Sequence, residues 1–182
     1  MIPKALILDR DGTLIEHVPY LADPEDVRLL PGVVEALSLV RAAGVRLFLH
    51  SNQSGVGRGL FKAAAVDACN RRMIEAIGLG PEIFERICIA PEHPDEPSRY
   101  RKPSPAFALE VMRDWDLEPA EICYIGDRGS DLATARAAGT RGVGVATGLD
   151  DLRGEMRELG LEGGFPVFNS LQAAIGYLLA AQ

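Results

Sequence analysis

Five short apolar runs, Ala5 to Leu8, Val45 to Leu49, Ile87 to Ala90, Ile122 to Ile125 and Val143 to Ala146, recur along the chain. Each is bounded by polar residues or glycine, and each is too short for a helix, so they read as buried strands. Helical patterns lie between them. Residues 32 to 43 and 61 to 78 read as amphipathic helices, the second with Phe61, Ala65, Cys69, Met73 and Ile77 at every fourth position. A third helix is expected over 105 to 115, with Ser104 as N-cap, Pro105 as its first residue and Phe107, Val111 and Trp115 on one face. Residues 130 to 138 form a short Ala-rich helix closed by Gly139, and residues 170 to 180 a last one. Strands alternating with helices imply a parallel sheet covered on both faces. The expected fold is therefore a three-layer, Rossmann-like α/β sandwich, with its ligand site at the carboxyl ends of the strands.

A length of 182 residues suits one domain, residues 1 to 182, stable without disulfides or a structural metal. Cys69, Cys88 and Cys123 are odd in number and widely spaced, a usage that fits buried thiols in a reducing compartment, so a cytoplasmic protein is expected. The net charge of −7 speaks against a protein whose main task is gripping nucleic acid. No apolar run approaches the length of a membrane span, and a monomer is the default expectation. Two irregular stretches, 13 to 30 and 91 to 103, are long enough to suggest function.

Chemistry-bearing residues cluster where the strands end. Asp9 and Asp11 follow the first strand with alternating geometry, so both project into the crevice, and Gly12 lets the chain turn away. Two such carboxylates repel unless a divalent cation joins them or their pKa values separate; alone, the pattern is an ordinary Asp-rich turn. The second strand runs into Ser51-Asn52-Gln53-Ser54-Gly55, where hydroxyl, amide and backbone N–H groups suit a phosphate. Its glycines lack the spacing of a dinucleotide fingerprint. Arg101 and Lys102 place two cations at a helix start, an arrangement that an anion compensates. Asp127 and Asp131 follow another strand, where helix capping is the plainer reading. All four segments together describe a site for a metal ion and a phosphate.

Asp9-Arg10-Asp11-Gly12-Thr13, Ser51-Asn52-Gln53, Lys102 and Gly126-Asp127 with Asp131 resemble the four motifs of the haloacid dehalogenase superfamily of phosphohydrolases. Residues Ser51 to Gly59 and Arg101-Lys102-Pro103 narrow the resemblance to its capless branch of heptose bisphosphate and histidinol phosphate phosphatases. The resemblance implies a phosphomonoesterase with an aspartyl-phosphate intermediate on Asp9, and Asp11 as acid and base. It further implies Mg²⁺ on Asp9, the Asp11 carbonyl and Asp127, with phosphate oxygens held by Ser51, Asn52 and Lys102. Asp131 would orient Lys102 or a metal-bound water. The substrate would be a small phosphorylated metabolite, with heptose bisphosphate ahead of histidinol phosphate; a nucleic-acid end-processing phosphatase and a silent binding protein are the more distant readings. Positions 14 to 50 and 53 to 100 leave no room for a cap domain, so specificity is expected from loops around Tyr20, Arg58, His93 and Arg101. Arg101, with Arg58 or Arg99, would hold a second phosphate or sugar hydroxyls. Relatives of that branch often carry zinc in the second loop, but the matching positions, Ala90, Glu92, Ser98 and Tyr100, are not a zinc set. No structural zinc is expected, and Pro91, Pro94, Pro97 and Pro103 would stiffen the loop instead. His17 is expected in a mobile flap and His50 in or near the sheet, neither with a catalytic role.

Overall fold

A computed structural model describes residues 2–180 of the chain. Its strands are β1 (Ala5–Leu8), β2 (Arg46–Asn52), β3 (Arg86–Ala90), β4 (Ile122–Gly126), β5 (Arg141–Val145) and β6 (Val167–Phe168). The helices are α1 (Val33–Ala42), α2 (Ala63–Ile77), α3 (Ala106–Trp115), α4 (Gly129–Ala138), α5 (Leu152–Glu158) and α6 (Leu171–Ala180). All strand pairs are parallel, in the order β3-β2-β1-β4-β5-β6. The three-layer fold expected from the alternating pattern is the one observed. Two elements carry no readable periodicity and were not expected: β6, a two-residue edge strand on β5, and α5.

Side-chain alternation divides the core. Leu6 and Leu8 join Leu47, Leu49, Cys123 and Ile125 against α1, α2 and α6, while Ala5 and Ile7 join Phe48, Ile122 and Tyr124 against α3 and α4. The α2 face is carried by Val66, Cys69, Asn70, Met73 and Ile77, so the stripe starts a turn later than the four-residue spacing suggests. Phe61 lies outside the helix. In α3 the cap position is Pro105, one residue later than expected, although Ala106 N–H still donates to Ser104 Oγ at 3.3 Å.

Topology decides where a ligand can sit. β1 is flanked by β2 and β4, and the chain leaves it in opposite directions, which opens a crevice at the carboxyl end of β1. Leu8 is in register with Leu49 and Ile125, so Asp9 stands level with His50 and Gly126. Asp9 has the parity of Ile7, toward α3 and α4. Between β1 and β2 the chain holds a 3₁₀ turn (Pro24–Asp26) and α1, and between β2 and β3 it holds only α2. Among the described residues there are thus no elements from which a cap could be built in these connections.

Candidate active site

A cavity of about 630 Å³ opens over the carboxyl ends of β1, β2 and β4. Asp9 and Lys102 form its floor, and both are buried. Lys102 Nζ lies 2.5 Å from Asp9 Oδ1 and 2.5 Å from Asp131 Oδ1, and donates to the His50 carbonyl at 3.1 Å. Three acceptors satisfy the three ammonium protons. Burial opposes the charge on Lys102, but Asp131 and Asp9 outweigh it and raise its pKa above the ordinary lysine value. Asp131 also accepts from Arg128 N–H at 3.0 Å through its second oxygen, so one carboxylate bonds both the start of α4 and the Lys102 ammonium. Gly126 leaves the space for this, since a Cβ there would lie 2.1 Å from the Asp131 carboxylate.

Asp127 has a different fate. Its Oδ1 is 3.5 Å from Thr13 Oγ1, and its Oδ2 is buried with no hydrogen-bond partner among the described residues. Burial pushes its carboxyl up to about 9, with the charges of Asp9 and Asp131 adding to the effect and Lys102 opposing it. Two glycines make room for this carboxylate: a Cβ on Gly12 would meet Asp127 Oδ2 at 2.3 Å, and one on Gly148 at 1.8 Å. Oxygens of Asp9, Asp127 and Asp131 lie within 4.8 Å of one another. Hard carboxylate oxygens, one of them orphaned and strained toward protonation, fit a divalent cation such as Mg²⁺. Asp131 already spends both oxygens on Lys102 and Arg128, so Asp9 and Asp127 are the better candidate ligands.

Asp11 lines the cavity beside them but is gripped from behind. The guanidinium of Arg10, fully buried, donates to Asp11 at 3.0 and 3.2 Å and to Asn70 Oδ1 at 2.8 Å. Gln53 Nε2 donates to Asp11 Oδ2 at 2.8 Å and to Ser51 Oγ at 2.7 Å, while Ser51 Oγ approaches Asp11 at 3.4 Å. Neither Arg10 nor Gln53 stands out as functional from sequence, because the partners that place them are far along the chain, Asn70 of α2 for Arg10 and Asp11 for Gln53. Asn52 faces the lysine segment: its Oδ1 accepts from Lys102 N–H at 3.0 Å, which pins the backbone that carries the ammonium.

His50 is buried behind Lys102, as expected of a sheet residue. Its Nε2 lies 2.7 Å from the Tyr100 carbonyl, which calls for an N–H there, and its Nδ1 faces the Tyr124 hydroxyl. Burial, helped by the Lys102 charge and opposed by the Tyr100 carbonyl, pushes its pKa down to about 3.

The rim departs further from expectation. Tyr20 and Arg101 line the cavity, but Arg58 and His93 do not. Gly57 docks on the second loop, donating to Pro91 O at 2.8 Å, and Arg58 is turned out to solvent. His93 ring nitrogen accepts from Asp95 N–H at 3.2 Å. Arg99 is paired with Glu110 and stacks on Tyr100, so it too points elsewhere. In the second loop Ser98 Oγ donates to Glu92 at 2.7 Å and accepts from Arg101 N–H at 3.0 Å, tying two of the positions matched to zinc ligands to each other. His17, expected in a mobile flap, instead lines the cavity in a pinned segment.

The chain is similar to known phosphatases in sequence and in fold. Residues 99–174 match the model of the HAD-hydrolase-like family. D-glycero-β-D-manno-heptose-1,7-bisphosphate 7-phosphatase of Bordetella bronchiseptica is 32% identical over 97% of this chain and 98% of its own. The crystal structure of the B. bronchiseptica D,D-heptose 1,7-bisphosphate phosphatase, complexed with magnesium and phosphate, superposes with a TM-score of 0.88 at 31% identity, covering 98% of this chain and 99% of that one. The bifunctional histidine biosynthesis protein HisB of Xylella fastidiosa is 32% identical over 78% of this chain but only 38% of its own length. Fold, site and relatives define a phosphoric monoester hydrolase of the haloacid dehalogenase type. Within that class, the chain belongs to the family of the D-glycero-D-manno-heptose 1,7-bisphosphate 7-phosphatases. Among the described residues, no helix is long and apolar enough to cross a membrane.

Proposed function

We propose that this protein removes the 7-phosphate of D-glycero-D-manno-heptose 1,7-bisphosphate, using Asp9 as nucleophile. The observation that carries the reading is the buried ladder Asp9–Lys102–Asp131, with Asp127 orphaned beside Asp9. Lys102 holds Asp9 by one oxygen, and the other attacks phosphorus while the bond to the sugar oxygen breaks. Asp11 gives that oxygen its proton, then takes one from the water whose attack cleaves the aspartyl-phosphate, releasing inorganic phosphate and restoring Asp9. Ser51 and Asn52 donate to the non-bridging oxygens, and the fixed positive charge of Lys102 beside them stabilises the charge that builds there. Asp9, the Asp11 carbonyl and Asp127 would hold Mg²⁺, whose positive charge would let an anionic nucleophile approach an anionic phosphate.

Arg101 binds the distal phosphate. Arg101 lines the cavity, no ion pair of its guanidinium with a carboxylate is seen among the described residues, and a phosphate accepts two parallel guanidinium bonds. Histidinol phosphate is the second reading, favoured only by the likeness to the bifunctional histidine protein. Three free, buried thiols support a reducing, cytoplasmic setting, and we take the chain to act as a monomer.

The test is phosphate release from both substrates with and without Mg²⁺. Preference for the heptose is expected, with Asp9→Asn slower by at least about 10³-fold. Preference for histidinol phosphate would overturn the substrate, and near-normal release by Asp9→Asn would overturn the nucleophile.

A further inference from the structure

Arg10 separates the two carboxylates that follow β1, and its side chain is fully buried. It has the parity of Leu8, so it points away from Asp9 and toward the face covered by α2. There Nη1 donates to Asn70 Oδ1 at 2.8 Å, while Nε and Nη2 fork onto the two oxygens of Asp11 at 3.0 and 3.2 Å. The Arg10 carbonyl is engaged as well, accepting from the N–H groups of Thr13, Leu14 and Ile15 at 3.3, 2.9 and 3.1 Å. Asp11 is therefore set twice over, its backbone by a turn anchored on Arg10 and its side chain by the Arg10 fork.

Asn70 breaks the pattern of its helix. It completes the buried stripe of α2 with Val66, Met73 and Ile77, at a position where an apolar side chain would extend the core. A buried amide there is costly unless it is bonded, and its bond is to Arg10. Stability is a poor reason for the arrangement, since apolar side chains of similar volume commonly match or better a buried ion pair. Orientation is a better one. A forked guanidinium fixes the plane of a carboxylate, and an acceptor on a fifteen-residue helix fixes the guanidinium in turn. This chain of contacts ends on a carboxylate that still lines the cavity. Asp11 Oδ2 also accepts from Gln53 at 2.8 Å, which leaves Oδ1, with the longer bond from Arg10, as the oxygen freer to exchange a proton.

We infer that Asn70 is a positioning residue for the reaction: by holding Arg10 it fixes the Asp11 carboxylate at the angle from which a proton passes to the departing sugar oxygen. This rests on the reading of Asp11 as the acid. Asn70 is not on the cavity lining and touches no reacting atom, so its loss is expressed where a leaving group needs that proton. A sugar alkoxide needs it; p-nitrophenolate departs without it.

The experiment compares kcat/KM, which reports phosphoryl transfer to Asp9, for the wild type, Asn70→Leu and Asp11→Asn on D-glycero-D-manno-heptose 1,7-bisphosphate and on p-nitrophenyl phosphate. Asn70→Leu should lose about 10- to 100-fold on the sugar ester and stay within about 2-fold on the aryl ester. If leucine is not accommodated, Arg10→Lys carries the same test: it keeps the charge without the fork and should lose more on the sugar ester than on the aryl ester. Equal losses on both esters would mean that Asn70 only supports the fold, and an unchanged rate on the sugar ester would mean that Asp11 needs no such support; either overturns the inference. Asp11→Asn should discriminate between the esters more strongly than Asn70→Leu. If it does and Asn70→Leu does not, the positioning role alone fails; if Asp11→Asn does not, the acid assignment fails and the positioning role with it. If the wild type prefers another sugar phosphate, the same ratio is read on that ester.

Discussion

Lys102 and Arg101 are neighbours in sequence, and their surroundings are opposite. Lys102 is buried at the bottom of the cavity with three acceptors around its ammonium, two of them carboxylates, Asp9 just beyond β1 and Asp131 in the first turn of α4. Arg101 is part of the lining, and its Nη1 is buried with no partner among the described residues, as is Nδ1 of His17 on the same lining. Floor groups are held by the protein whether or not substrate is present, as preorganised charge must be if it is to stabilise a transition state without rearranging. Rim groups are carried by loops and are not tied into such a network of carboxylates. A division of this kind lets chemistry be set by the sheet and selectivity by loops.

The largest effect should come from breaking the floor. Lys102→Met leaves Asp9 and Asp131 facing each other in a buried setting with no cation between them. Loss of one partner of such a cluster costs about 3–5 kcal/mol. Urea unfolding in the presence of a chelator should show that loss, and phosphate release should fall by about 10³-fold or more. Adding Asp131→Asn to Lys102→Met should return part of the stability and none of the activity. If the single variant unfolds like the wild type, the ladder is not the electrostatic unit described above.

A smaller effect tests the orphaned carboxylate. Gly148→Ala introduces a methyl that would lie 1.8 Å from Asp127 Oδ2, so the carboxylate must move away from Asp9. The Mg²⁺ concentration for half-maximal activity should rise about 10- to 100-fold, the range seen when groups supporting a metal ligand are altered. Overpacking beside a buried carboxylate should also lower stability, by about 1–3 kcal/mol, so the Mg²⁺ requirement is read at a temperature where the variant is folded. An unchanged Mg²⁺ requirement would remove Asp127 from the metal site.

The floor was far more legible in the sequence than the rim, for a physical reason. Asp9, Asp11, Ser51, Asn52 and Asp127 sit at or just beyond strand ends, and a parallel sheet brings strand ends together whatever the loops do. Lys102 was found because a cation at a helix start is locally anomalous. Gly148 was not found, since its role depends on the end of β5 meeting Asp127, a proximity with no local signature. Arg10 and Gln53 were missed for the same reason, as their partners are distant in sequence. His17 was misjudged: a lone histidine in a Pro-containing loop looks mobile until the buried neighbours Ile15 and Leu21 are seen to pin it. Arg58 failed in the other direction, because the docking of Gly57 on Pro91 turns it out of the site.

His50 joins the two regions, and its effect is the smallest and the most specific to pH. It links the Lys102 segment to the sheet through the Tyr100 carbonyl, and burial, with Lys102 nearby, holds its pKa at about 3. The unfolded chain, with an ordinary histidine near 6.5, therefore binds a proton between those two values that the folded state does not. Stability from this group is complete above about pH 6.5 and is lost as pH falls toward 3, at about 1.4 kcal/mol per pH unit, or about 2 kcal/mol between pH 7 and pH 5. Other acids titrate in the same interval, so the comparison must be with His50→Gln, whose amide can still donate to Tyr100. Urea unfolding at pH 7 and pH 5 should show the variant losing about 2 kcal/mol less than the wild type over that step. Equal losses would mean that the imidazole is accessible to a proton in the folded state, and that the link between rim and sheet opens far more easily than the buried, doubly engaged ring implies.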